Sequence, residues 1–150
     1  MRDLREIEVR QDIEPIISAL GFHVVEVVVQ SRVTCRVTVV IYRAQGISLD
    51  DCAHISRTIQ PRLELVLNRD DITLEVTSPG IDRVIRSPEE YNIFQRKGVR
   101  LLLNSTGTWE GGTIGRYEEG ILYLLRNGKC DTIAVSEIRK ARLDYTQEVK

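Results

Sequence analysis

The chain has 150 residues, 42% hydrophobic and 29% charged, with a formal net charge of −1. That balance provides for one ordinary domain or two small ones and excludes a disordered chain. It also excludes a protein that wraps nucleic acid over its whole surface, which would carry a clear positive excess. Any RNA contact is therefore expected to be local or shared with a protein contact. Cys35, Cys52 and Cys130 are odd in number and form no CxxC pair, so a zinc knuckle and a thioredoxin-type motif are ruled out and free thiols in a reducing cytosol are expected. The charged N-terminus lacks an apolar signal core, and no segment approaches the roughly 20 apolar residues that cross a bilayer. The expectation is a soluble, cytoplasmic chain.

The first predicted helix runs from about Asp3 to Leu20, with Val9, Ile13, Ile16, Ile17 and Leu20 on one stripe. Pro15 inside it predicts a kink, and Gly21 is placed for a left-handed cap. Phe22 to Gln30 is valine-rich and reads as a strand. After a turn at Ser31 and Arg32, residues Val33 to Tyr42 alternate as its antiparallel partner. Ser48 opens a second helix, and Asp51 stands where its carboxylate completes a capping box. Leu49, Cys52, Ile55, Ile59, Leu63, Val66 and Leu67 keep helical spacing, with a bend expected at Pro61. Ile72, Leu74 and Val76 then define a third strand. The order helix–strand–strand–helix–strand predicts two helices packed on a three-stranded sheet.

Thr77-Ser78-Pro79-Gly80 is a turn signal. Ser87-Pro88-Glu89-Glu90 starts a short helix that buries Tyr91 and Phe94, with Ser87 as cap and Glu90 completing its box. Beyond it, strands are expected at Val99 to Leu103, Thr108 to Tyr117, Ile121 to Leu125, Thr132 to Val135 and Ala141 to Asp144. Turns at Asn104 to Gly107, Glu119-Gly120 and Asn127-Gly128 separate the first four. Five short strands suggest a small closed barrel, and Gly111, Gly112 and Gly115 read as marks of a bulge or bend. The chain is thus divided into an N-terminal α/β domain, 1–86, and a linker helix with a small β-barrel, 87–150. The fold class is α+β.

Catalytic chemistry is hard to find. The histidines are His23 and His54. Asp50, Asp51 and His54 make a metal cluster conceivable, but a solvated helix face accounts for them better. No nucleophile elbow, phosphate loop or dinucleotide fingerprint occurs. The expectation is a non-enzyme with no cofactor, no metal and no small-molecule substrate. The unusual stretch is Leu74 to Arg86, which leaves a strand through a rigid turn and ends Asp82-Arg83-Val84-Ile85-Arg86. Two readings stand level. In one, Asp82 and Arg83 tie the domains together while Ile81 and Val84 pack. In the other, a loop presents Arg83 and Arg86, whose forks suit phosphate and carboxylate. Basic residues cluster as Arg83, Arg86, Arg96, Lys97 and Arg100, and again as Arg139, Lys140 and Arg142. A charge run is usually a solvated face. Convergence of the two clusters in space would make a phosphate site.

The segment LEVTSPGIDRVIRSPEEY resembles the signature of the RimP family of ribosome maturation factors, whose pattern is close to LEVSSPGxDRPL followed by a short helix. IEPIISALGFHVVEV, GISLDDCAHIS, VRLLL, GTWEGGTIG and IRKARL resemble other parts of the family, in order along nearly the whole chain. The resemblance implies a KH-like N-terminal domain and an Sm-like C-terminal barrel. It implies a non-catalytic factor, expected as a monomer. Such a factor binds the free small ribosomal subunit late in its maturation, through rRNA and a small-subunit ribosomal protein, the latter by way of the barrel. It makes Ser78, Pro79, Gly80, Asp82, Arg83 and Arg86 candidate positions, joined by the basic residues Arg96, Lys97, Arg100, Arg139, Lys140 and Arg142. Two departures stand out: Val84 replaces the usual proline, and Tyr42 stands where an acid often ends the second strand. A general RNA-binding module is the rival reading, weakened by the lack of a GxxG loop between helices and by few aromatics. A protein-only adaptor is the third.

Overall fold

The computed structural model describes residues 4–148, which form two compact units dividing between Pro79 and Gly80. In the first unit α1 (Leu4–Ala19), β1 (His23–Ser31), β2 (Cys35–Tyr42), α2 (Leu49–Leu67) and β3 (Ile72–Thr77) follow in order. The expected start of α1 at Asp3 lies outside the described residues. β1 and β2 pair antiparallel, and α2 carries the chain across so that β3 pairs with β2 in parallel. Val9, Ile13 and Ile17 of α1 and Ile55, Ile59 and Leu63 of α2 share one core with Val27, Val29, Val37, Val39 and Ile41 of the sheet. Helical assignment continues through Pro15 and Pro61. Leu49, the first residue of α2, departs from its expected place on the stripe: it is 89% exposed.

The helix ends are closed as their sequences require. Gly21 (φ 93°) and Phe22 donate to the Ser18 and Ile17 carbonyls, the two bonds of a Schellman cap. At α2, Ser48 Oγ accepts from the Asp51 N–H at 3.0 Å and Asp51 Oδ2 accepts from the Ser48 N–H at 2.9 Å. The irregular register at Val24 and Glu26 leaves carbonyls outside the ladder, and Arg10 donates to Val24 O at 2.8 Å and Val25 O at 3.4 Å. Arg69, just past the left-handed cap Asn68, grips Asp71 through both carboxylate oxygens and donates to Ser31 Oγ and Val33 O. That one guanidinium fixes the β1–β2 turn against the α2–β3 turn.

The second unit holds the short helix α3 (Glu90–Ile93), β4 (Gly98–Leu103), β5 (Trp109–Glu118), β6 (Ile121–Arg126), β7 (Lys129–Ala134) and β8 (Ile138–Leu143). The strands form one antiparallel sheet, ordered β7-β6-β5-β4-β8. Glu119-Gly120 and Asn127-Gly128 make two-residue hairpin turns with positive φ at all four residues, the type I′ geometry that suits strand twist. Val99, Leu101, Ile114, Leu122, Leu124, Ala141 and Leu143 are buried with Tyr91 and Phe94. The expected bend in β5 is present as a register irregularity between Ile114 and Tyr117. Its glycines are there for close approach: a Cβ on Gly115 would lie 2.7 Å from the Tyr123 carbonyl oxygen.

Barrel closure is not found. Among the described residues β7 and β8 do not pair, and β8 has another neighbour. Ile85 N–H donates to Ala141 O and Leu143 N–H to Arg83 O, both at 2.9 Å, with Val84 facing Arg142 across a bridge. Residues 83–85 therefore occupy the edge of β8 that β7 would need over residues 141–143.

Candidate nucleic-acid interface

The motif after β3 begins with Ser78, exposed, and Pro79, half-buried. Gly80 O then accepts from the Arg83 N–H at 3.2 Å, closing a tight turn over Ile81 and Asp82. The chain next runs as the short edge beside β8, and strand alternation sends successive side chains to opposite sides. Arg83 turns inward. Its Nε and Nη2 donate to Glu90 Oε1 at 2.9 Å and Oε2 at 3.2 Å, and the two side chains are only 9% and 3% exposed. Glu90 Oε2 also accepts the backbone N–H groups of Arg86 and Ser87, both at 3.2 Å. The acid half of the expected capping box is thus present, and it doubles as the seat for Arg83. No side-chain cap is made at the residue before α3. Tyr91 beside it is buried, and desolvation, with the Glu90 charge adding, pushes its phenol well above the usual range.

The remaining basic residues divide by strand register. Val99 pairs with Leu143 and Leu101 with Ala141, all four buried. The residues between them point the other way: Arg100 lies directly opposite Arg142, and Leu102 opposite Lys140. On the far side of β4, Leu102 faces Trp109 and Arg100 faces Gly111. Arg100, Lys140 and Arg142 thus share one outward sheet face with Trp109, whose ring lies 5.9 Å from the Arg100 guanidinium carbon. Arg139 sits at the register irregularity beside them, exposed. Arg96, left-handed at φ 75°, is exposed in the turn after α3, where its N–H donates to Ile114 O. Lys97 lies 3.8 Å from Glu148. Arg86 is exposed at the motif's end.

Two like charges opposite one another on paired strands oppose folding. Each arginine has an acid within reach, Asp144 at 3.7 Å from Arg100 and Asp82 at 4.0 Å from Arg142, but such long, partly exposed contacts contribute about 1 kcal/mol at most. Hydrogen bonds from the Thr146 hydroxyl and N–H, with Arg100 nearby, hold the Asp144 carboxyl below its ordinary range. The 3-10 turn Tyr145–Gln147 lies across the Gly98 and Gly111 end of the face. Among the described residues no group of three or more His, Cys, Asp or Glu is arranged to hold a metal ion, and no helix is long and apolar enough to cross a membrane.

Residues 12–82 match the family model described as the RimP N-terminal domain. The "Ribosome maturation factor RimP" of Borrelia recurrentis (strain A1) is 30% identical over 137 residues, covering 91% of this chain and 94% of that one. The proteins of the same name from Borrelia turicatae (strain 91E135) and Borrelia hermsii (strain HS1 / DAH) are 28% identical over the same shares. The chain belongs to the RimP family. A 137-residue match is longer than either unit, so the RimP likeness takes in both the helix-backed mixed sheet and the antiparallel sheet. Two residues that matter to the second unit are not marked for those roles by local sequence. Glu90 was legible only as a helix-start acid, because its pairing with Arg83 depends on the edge strand. Trp109 falls inside the expected strand Thr108 to Tyr117, and the alternation that puts it on the same face as Gly111 is the signal that could have marked it.

Proposed function

We propose that the protein acts without catalysis, in the cytoplasm, as a maturation factor that binds the free small ribosomal subunit as a monomer. It would contact rRNA and a small-subunit ribosomal protein, prefer the immature or unjoined subunit, and leave when the site matures or the large subunit joins. The mechanism is differential affinity for two states of the subunit, which shifts their populations. The observation that carries this reading is the likeness to ribosome maturation factors over 91% of the chain. A net charge of −1 with basic residues gathered on one sheet face fits a local contact of this kind. The candidate contacts are the exposed Arg86, Arg96, Arg100, Arg139 and Lys140 and the half-buried Lys97 and Arg142, together with Ser78, Pro79, Gly80 and Asp82 of the motif. Arg83 would act from inside, by holding that turn in place. Depleting the protein from its cell is expected to raise the ratio of free small subunits to joined ribosomes in a sucrose gradient. An unchanged profile would overturn the proposal.

A further inference from the structure

We infer that the outward face of β8, β4 and β5 is a binding surface for unpaired RNA nucleotides, with Trp109 as the base-stacking platform and Arg100, Lys140 and Arg142 as the phosphate and stacking cations. The inference deepens the small-subunit reading and rests on it, by naming the surface and the class of RNA it takes.

Three observations meet here. The sheet register sets Arg100 against Arg142 and brings Lys140 alongside, so three cations share a patch that folding alone disfavours. A ligand carrying negative charge relieves that repulsion. Trp109, the only tryptophan of the chain, stands on the same face and is 42% exposed, although burial of its ring is what a fold would favour. The Arg100 guanidinium lies over the indole at 5.9 Å, while Gly111 beside it is covered by the Gln147 side chain, which bounds the platform on that side. An aromatic ring flanked by arginine is the arrangement on which an unstacked base settles while neighbouring cations take its phosphates. An acidic peptide would engage the cations but leave the indole without a role. A duplex offers its bases only at its ends, so the indole selects for single strands.

The single tryptophan provides its own readout. The full chain is titrated with a short single-stranded RNA of mixed sequence, and with the same strand annealed to its complement, while the Trp109 emission is followed. Quenching by the single strand, with clearly weaker binding of the duplex, is expected. In anisotropy with labelled RNA, Trp109→Ala is expected to weaken binding roughly tenfold, while Trp109→Phe keeps most of it. Joint replacement Lys140→Gln and Arg142→Gln is expected to weaken binding by a similar factor and to flatten the logarithmic salt dependence by about 0.7 per cation. Trp109 and Lys140 are exposed and Arg142 is half-buried, and circular dichroism checks that each variant is folded. Absence of quenching, equal affinity for the duplex, or unchanged affinity of folded Trp109→Ala would overturn the inference. If the protein still associates with small subunits in that case, the maturation reading stands and only this surface falls.

Discussion

The guanidinium of Arg83 and the carboxylate of Glu90 form a two-pronged ion pair, at 2.9 and 3.2 Å, almost wholly shielded from water. Removing one partner of such a pair strands the other charge, at a cost of about 3–5 kcal/mol. Glu90→Gln and Arg83→Met are each expected to lower the stability of the second unit by roughly that amount in urea unfolding. The double replacement is expected to cost clearly less than the sum. Additive losses would show that the two charges do not depend on each other.

Val84 stands where the family pattern has proline. The bonds from Ile85 N–H to Ala141 O and from Leu143 N–H to Arg83 O flank the Val84–Arg142 pair, which makes it the non-hydrogen-bonded kind. Its N–H therefore points away from β8, and a proline there removes no rung of the ladder. Val84→Pro is expected to change stability by less than about 1 kcal/mol. A loss above about 2 kcal/mol would mean that the edge segment cannot accept the ring.

Gly115 approaches the Tyr123 carbonyl so closely that a Cβ has no room, and a backbone oxygen within a sheet cannot swing aside. Gly115→Ala is expected to destabilise the second unit by about 1–3 kcal/mol in thermal unfolding. A neutral result would place β5 and β6 farther apart than described.

Three carboxylates link stability to acid. Asp51 is held below the ordinary value of 3.8 by its bond from the Ser48 N–H, Asp71 by Arg69 and Asp144 by Thr146. A depressed folded pKa contributes stability that is complete above the unfolded value and is lost as pH falls through the folded one. Unfolding midpoints should thus be flat from neutral pH down to about 5 and fall below about 4. Asp51→Asn with Asp71→Asn should make that fall shallower. An equally steep fall in the double variant would assign the acid sensitivity to other groups.

Much of the first unit was legible because its signals are local. The stripe Val9, Ile13, Ile17 and the alternation Val37, Val39, Ile41 each name a buried face without knowledge of the partner, and the Ser48–Asp51 box is complete within four residues, as is the Asn127-Gly128 turn of the second unit. The parallel pairing of β3 with β2 was not legible, since alternation is the same in either direction. The choice between Arg83 as a presented arginine and as a tie is level in the sequence, because neither leaves a local pattern. Only the docking of residues 83–85 on β8 turns its side chain toward Glu90. That docking also takes up the strand edge on which a barrel would have closed, and no local pattern announces it. The basic face needed the β4–β8 register, which sets residues some forty positions apart in direct opposition.

The most direct measurement is co-sedimentation of the purified chain with free small ribosomal subunits and with whole ribosomes, at low and moderate salt. Retention on free small subunits, weakened as salt rises and absent from joined ribosomes, is the expected result. A folded chain that pellets with neither would contradict a role in small-subunit maturation.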